Sequence, residues 1–156
     1  MILAAILIGC IEQNNIEPSE AAKNYVKKVF DAGLQEVYFS GLPHKCAASL
    51  TGIDNYTVYM SKGNLKMEIT LKNQNSESVR NWLMTPEGIQ YFWGEDSGII
   101  NGQPFNRSIP LDITDLSDIE SKSLSNQEDF ASYGIIKLIK CGRETIPESI
   151  FIPPPK

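Results

Sequence analysis

The sequence predicts an α+β domain in which an N-terminal helix packs on an antiparallel meander. Three observations carry this. Apolar residues recur at helical spacing over residues 18–33. From Val37 onward the pattern shifts toward period two, most cleanly over residues 65–72. The strand-like runs are short and are joined by tight turns rich in Gly, Pro, Asn and Ser.

The elements follow in chain order. Pro18-Ser19-Glu20 supplies a cap and early negative charge for one helix over residues 18–33. Its apolar stripe is Ala22, Tyr25, Val26, Val29 and Phe30, and Gly33 is the expected stop. Residues 56–60 read as a strand and Ser61-Lys62-Gly63-Asn64 as a turn. Leu65, Met67, Ile69 and Leu71 then share one face, with Lys66, Glu68, Thr70 and Lys72 on the other. After a turn at Asn73-Gln74-Asn75-Ser76 comes a strand over residues 79–84. Thr85-Pro86-Glu87-Gly88 is a type I turn, and residues 89–93 return as the hairpin partner. Gly94-Glu95-Asp96-Ser97-Gly98 reads as another turn, residues 133–141 as a late strand, and residues 149–152 as a last strand before three prolines.

The chain has 156 residues, 42% of them hydrophobic, enough for one domain with a real core. The formal net charge of −5 argues against DNA or RNA as a partner. The acidity is local: residues 110–130 hold six acids and one base, and the remainder is balanced. Asp112, Asp115 and Asp118 sit in a stretch, residues 111–126, that reads as a short helix. The oxygen-rich loop with a tight Gly turn that calcium requires is missing there, so capping and solubility account for the acids and no metal is expected. Nucleophile-elbow, phosphate-loop, dinucleotide and zinc-helix motifs are missing too. No cofactor and no catalytic residue is assigned, and the chain is read as a non-enzyme.

The first ten residues are the most specific signal. Met1-Ile2-Leu3-Ala4-Ala5-Ile6-Leu7-Ile8-Gly9 is apolar or small throughout, Cys10 follows, and the chain turns polar at Glu12-Gln13-Asn14-Asn15. The apolar run has the length of a signal core and is too short to span a membrane. Leu7-Ile8-Gly9-Cys10 resembles the lipobox of prokaryotic lipoproteins, in which the signal is cleaved before the cysteine and the thiol takes the lipid. The resemblance implies a signal over residues 1–9, a lipidated tether over residues 10–17, and one domain over residues 18–156. It also implies a protein held to a cell membrane through a lipid on Cys10 and facing the extracytoplasmic side. The chain departs from the pattern in having no basic residue before Lys23.

Export implies an oxidising compartment, in which Cys46 and Cys141 are expected to pair and to join an early strand to a late one. The rival is an activated thiolate, since His44 lies two residues before Cys46 and a strand would point both side chains the same way.

A helix and a meander behind a lipobox also resemble the LolA-like periplasmic lipoprotein and lipid carriers. The residues concerned are Leu7 to Cys10, the strand from Leu65 to Leu71 and the hairpin from Trp82 to Trp93. That resemblance implies a curved meander forming a half-barrel around the helix, with an apolar cavity for acyl chains. Tyr56, Tyr59, Met67, Trp82, Tyr91 and Trp93 are the residues expected to line it, since aromatic and thioether groups suit irregular apolar ligands. The alternative is a surface scaffold that uses a sheet edge or the acidic segment to meet a protein partner. Asn55-Tyr56-Thr57 and Asn106-Arg107-Ser108 are N-glycosylation sequons.

Overall fold

Asp31 divides the predicted single helix into two. The computed structural model describes residues 16–50, 55–119 and 134–156. Helix α1 (Glu20–Val29) starts at Ser19, whose Oγ accepts from the Ala22 N–H at 3.2 Å. Phe30 leaves the helix in an extended conformation, and Asp31 caps a second helix, α2 (Ala32–Phe39). Both Asp31 carboxylate oxygens are used. One accepts from the Leu34 N–H at 3.0 Å, and the other from the Leu138 N–H at 2.9 Å. A capping side chain inside an apolar stripe thus outweighs the stripe's continuity. Gly33, the expected stop, lies in the first turn of α2, where a Cβ would come within 2.9 Å of Leu138 Cδ2. Val37 is helical, so the period-two region begins later than expected.

Among the described residues, seven antiparallel strands form one sheet. They are β1 (His44–Ser49), β2 (Tyr56–Ser61), β3 (Asn64–Lys72), β4 (Ser76–Met84), β5 (Ile89–Ile100), β6 (Gln103–Asp115) and β7 (Lys137–Arg143). The order across the sheet is β6-β5-β4-β3-β2-β1-β7. Strands β1 to β6 therefore form a meander, and β7 returns to the far side of β1. Among the described residues the sheet is open, with β6 and β7 as its two edges.

Three sequence expectations are corrected here. The predicted turn at residues 94–98 lies inside β5, and the chain reverses at Asn101-Gly102, both with positive φ, as a two-residue hairpin loop requires. Gly94 and Gly98 serve close packing instead. A Cβ on Gly94 would strike the Val79 carbonyl oxygen and lie 3.1 Å from Arg80 Cδ, and one on Gly98 would lie 2.9 Å from the Phe105 ring. Second, residues 111–115 complete β6, and of the described part of that stretch only Leu116–Ile119 is helical (α3), residues 120–126 lying outside the described residues. Pro104 and Pro110 disguise β6 as a loop, yet an edge strand tolerates proline because one row of its N–H groups has no partner. Third, the expected last strand is a 3-10 helix, Glu148–Phe151, entered at Pro147 and packed near β3. Tyr133, the expected first residue of the late strand, lies outside the described residues, and β7 starts at Lys137.

The helices cover one face of the sheet obliquely. The chain enters beside the β4–β5 turn, where the Ser19 N–H donates to the Pro86 carbonyl at 2.7 Å. By its C-terminus α1 has reached β7, where Phe30 bridges Ile136. Helix α2 runs back toward the β2–β3 turn, and there the buried Tyr38 hydroxyl donates to the Gly63 carbonyl at 2.9 Å. Val26, Val29, Phe30 and Leu34 from the helices, with Val58, Met60, Leu65 and Met84 from the sheet, are all essentially inaccessible and form the core. Each such side chain contributes roughly 1.5–3 kcal/mol by leaving water.

Candidate functional site

Strand pairing decides which of the expected ligand residues meet. Tyr56 lies opposite Ile69, and Met67, Trp82 and Phe92 form one cross-strand row. All of these face the helices. Tyr56, Met67 and Trp82 are 7%, 3% and 4% exposed, and Tyr25 of α1 stacks on Trp82 with ring centroids 5.6 Å apart. These three are core residues. Tyr59, Tyr91 and Trp93 stand on the opposite face, because strand neighbours alternate. The expected single constellation of six is therefore two sets of three, separated by the thickness of the sheet.

The opposite face carries a row in which Lys45, Tyr59, Lys66, Leu83, Tyr91 and Ile113 are successive cross-strand partners. Lys45 Nζ lies 5.6 Å from the Tyr59 ring centroid and Lys66 Nζ 5.5 Å from that of Trp93. Lys66 also pairs with Glu68 at 2.8 Å. Burial, with the nearby Glu68 and Glu144 carboxylates, pushes the Tyr59 hydroxyl pKa above its ordinary value. Leu83 is fully buried on this side, although it stands apart from the main core.

On the helix side, burial falls off toward the far ends of β3 to β6, with Ile69 and Phe92 at the margin of the core. Ile69, Phe92, Phe105 and Ile109 are half-buried there and Leu71 is 48% exposed. Among them stands a polar group. Asp96 Oδ1 accepts from Ser78 Oγ at 2.7 Å and from Arg80 Nη1 at 2.8 Å, and Arg80 Nη1 also donates to the Val79 carbonyl at 3.1 Å. Arg107 is the cross-strand partner of Asp96 and is exposed. The Arg80 hydrogen bond, then that of Ser78, hold the Asp96 carboxyl below its ordinary pKa, and the Arg107 charge adds to this. Gly94 lets Arg80 lie flat on the sheet, and Gly98 does the same for Phe105. This wedge of apolar side chains around two guanidiniums was not anticipated. Its signal in the sequence was Gly94-x-Asp96-x-Gly98, which puts two glycines and an acid on one strand face and which composition alone reads as a turn.

Cys46 and Cys141 are direct cross-strand partners and form a disulfide, with Cα atoms 4.1 Å apart. The expected pairing is present, and it removes the thiolate that a Cys–His site would need. His44 instead places Nδ1 3.0 Å from the Leu42 carbonyl oxygen. Cys10 and the expected signal over residues 1–9 lie outside the described residues, as does most of the expected tether. Among the described residues, no cluster of three His, Cys, Asp or Glu is arranged for a metal ion, and no helix is long and apolar enough to cross a membrane. No family model, curated protein or solved structure matches this chain.

Proposed function

We propose that the chain is an extracytoplasmic lipoprotein, anchored through Cys10, that binds an apolar or acyl ligand on the helix side of its sheet. The observation that carries the ligand reading is the wedge at the far ends of β3 to β6. Ile69, Leu71, Phe92, Phe105 and Ile109 offer apolar contact there, and the exposed Arg107, opposite Asp96, offers a cation to an anionic headgroup. On this reading the open sheet serves as the half-barrel wall of a LolA-like carrier, and Tyr56, Met67 and Trp82 form the packed end of that wall. The disulfide supports the export half of the reading, because such bonds persist in oxidising compartments.

Displacement of a fluorescent fatty-acid probe tests the ligand half. Wild-type protein is expected to bind the probe and release it to unlabelled fatty acid, and Arg107→Glu to bind it at least tenfold more weakly. Equal binding by Ile69→Asp, Arg107→Glu and wild type would remove the wedge from consideration. A second reading, a protein-interaction scaffold, is favoured by one specific feature. Ile99 and Ile100, at 57% and 59% exposure, flank the β5–β6 hairpin loop beside the free edge of β6.

A further inference from the structure

The two sequons occupy one end of the folded sheet. Asn106 lies on the edge strand β6 as the partner of Ser97, one pair from Gly98, which itself pairs with Ser76 at the β3–β4 turn. Asn55 immediately precedes β2, whose first residue, Tyr56, pairs with Ile69 near the end of β3. Both asparagines are exposed. The chain enters the domain at the other end, by Pro86 and Gly63, where a Cβ on Gly63 would lie 3.1 Å from Pro18. Eight residues of β5 separate Ile89 from Ser97, so Asn106 stands about 27 Å from the entry end at ~3.4 Å per residue.

The Asn106 sequon is the better formed of the two. A strand points residues i and i+2 to the same face, so Asn106 and Ser108 present amide and hydroxyl side by side, both exposed. Thr57, the corresponding hydroxyl after Asn55, is half-buried on a strand with neighbours on both sides. Asn106 also lies between the exposed Ile99–Ile100 hairpin and the middle of the unpaired β6 edge. Among the described residues this is an edge stretch with no further strand beside it, open to edge-to-edge pairing with another chain.

We propose that Asn106 is an N-glycosylation site, and that its glycan shields the β6 edge at the end of the domain far from the anchor. The inference rests on the export reading above. In the transfer, the Asn106 side-chain nitrogen attacks the anomeric carbon of a lipid-linked oligosaccharide. The C–O bond to the lipid phosphate breaks, an N–C bond forms, the amide proton passes to a base, and the lipid phosphate leaves as an anion. A bulky hydrophilic group at this position hinders strand addition at β6 and leaves the helix-side wedge open, since Asn106 and Ser97 share the face opposite the helices.

The test is peptide mass spectrometry on the full chain purified from the membranes of its own host. The expected result is an Asn106 peptide carrying a sugar mass increment. That increment should be lost in Asn106→Gln and Ser108→Ala, and retained in Ser108→Thr. Far-ultraviolet dichroism would show that each variant is folded. A chain lipidated at Cys10 but unmodified at Asn106 overturns this inference alone. A chain with neither lipid nor sugar, recovered from the soluble cytoplasm, overturns the export reading and this inference with it.

Discussion

Reducing the Cys46–Cys141 bond, with no residue changed, is expected to lower unfolding stability substantially without abolishing the fold. The cysteines are 95 residues apart. A loop of that length corresponds to a chain-entropy term of about 15.7 cal/mol/K, or ~4.7 kcal/mol at 25 °C. The structure explains why most of this should appear. The bond joins residues already opposite one another in a paired ladder, so the folded sheet itself brings the two thiols together. Strand β7 is an edge with one strand partner, and Lys137, Ile139, Lys140 and Arg143 are exposed, so little burial opposes its release. The Asp31–Leu138 hydrogen bond and the Phe30–Ile136 bridge still hold its start, so the reduced protein stays folded. Urea unfolding followed by tryptophan fluorescence, oxidised against phosphine-reduced, measures the difference. At an m-value of ~2 kcal/mol/M the midpoint should fall by about 2 M, with Cys46→Ala/Cys141→Ala behaving alike. A shift below ~0.5 M at unchanged m would refute the claim that this bond restricts the unfolded chain.

Four further outcomes are expected. Asp31→Ala should destabilise by about 2 kcal/mol in a thermal or urea melt, because it removes the α2 cap and leaves the Leu138 N–H without its acceptor. Trp82→Ala should destabilise by about 3–5 kcal/mol, whereas Trp93→Ala, on the other face, should change stability by less than half as much. Burial pushes the Tyr38 pKa well above its ordinary value, so its folded-state contribution is complete below pH ~10 and declines as the pH rises further. Tyr38→Phe should flatten that alkaline decline and destabilise by about 1 kcal/mol at neutral pH through loss of the bond to Gly63. For Asp96 the sign is reversed: its lowered pKa adds stability that is present above the ordinary carboxylate range and lost as the pH falls through it. Asp96→Asn should therefore be less stable than wild type at neutral pH, and the two should converge in acid titrations.

By itself the sequence determined the class of fold, the meander through β5 and the partnership of the two distant cysteines. These rest on local periodicity, turn chemistry and the expectation that two cysteines of one small domain pair, all carried by residues near one another or unique in kind. It also read Leu65, Met67, Ile69 and Leu71 as sharing a face, and the register against β4 agrees. Tertiary structure alone decided the rest. Asp31 ends a helix because Leu138, far along the chain, supplies a donor for its second oxygen. Gly94 and Gly98 lie within a strand because Arg80 and Phe105 of neighbouring strands fill the space a side chain would occupy. The six aromatic and thioether residues looked like one site because each suits an apolar ligand. Strand register sent Tyr56, Met67 and Trp82 to the helix side and Tyr59, Tyr91 and Trp93 to the other, and a register is a property of paired strands that no single strand encodes.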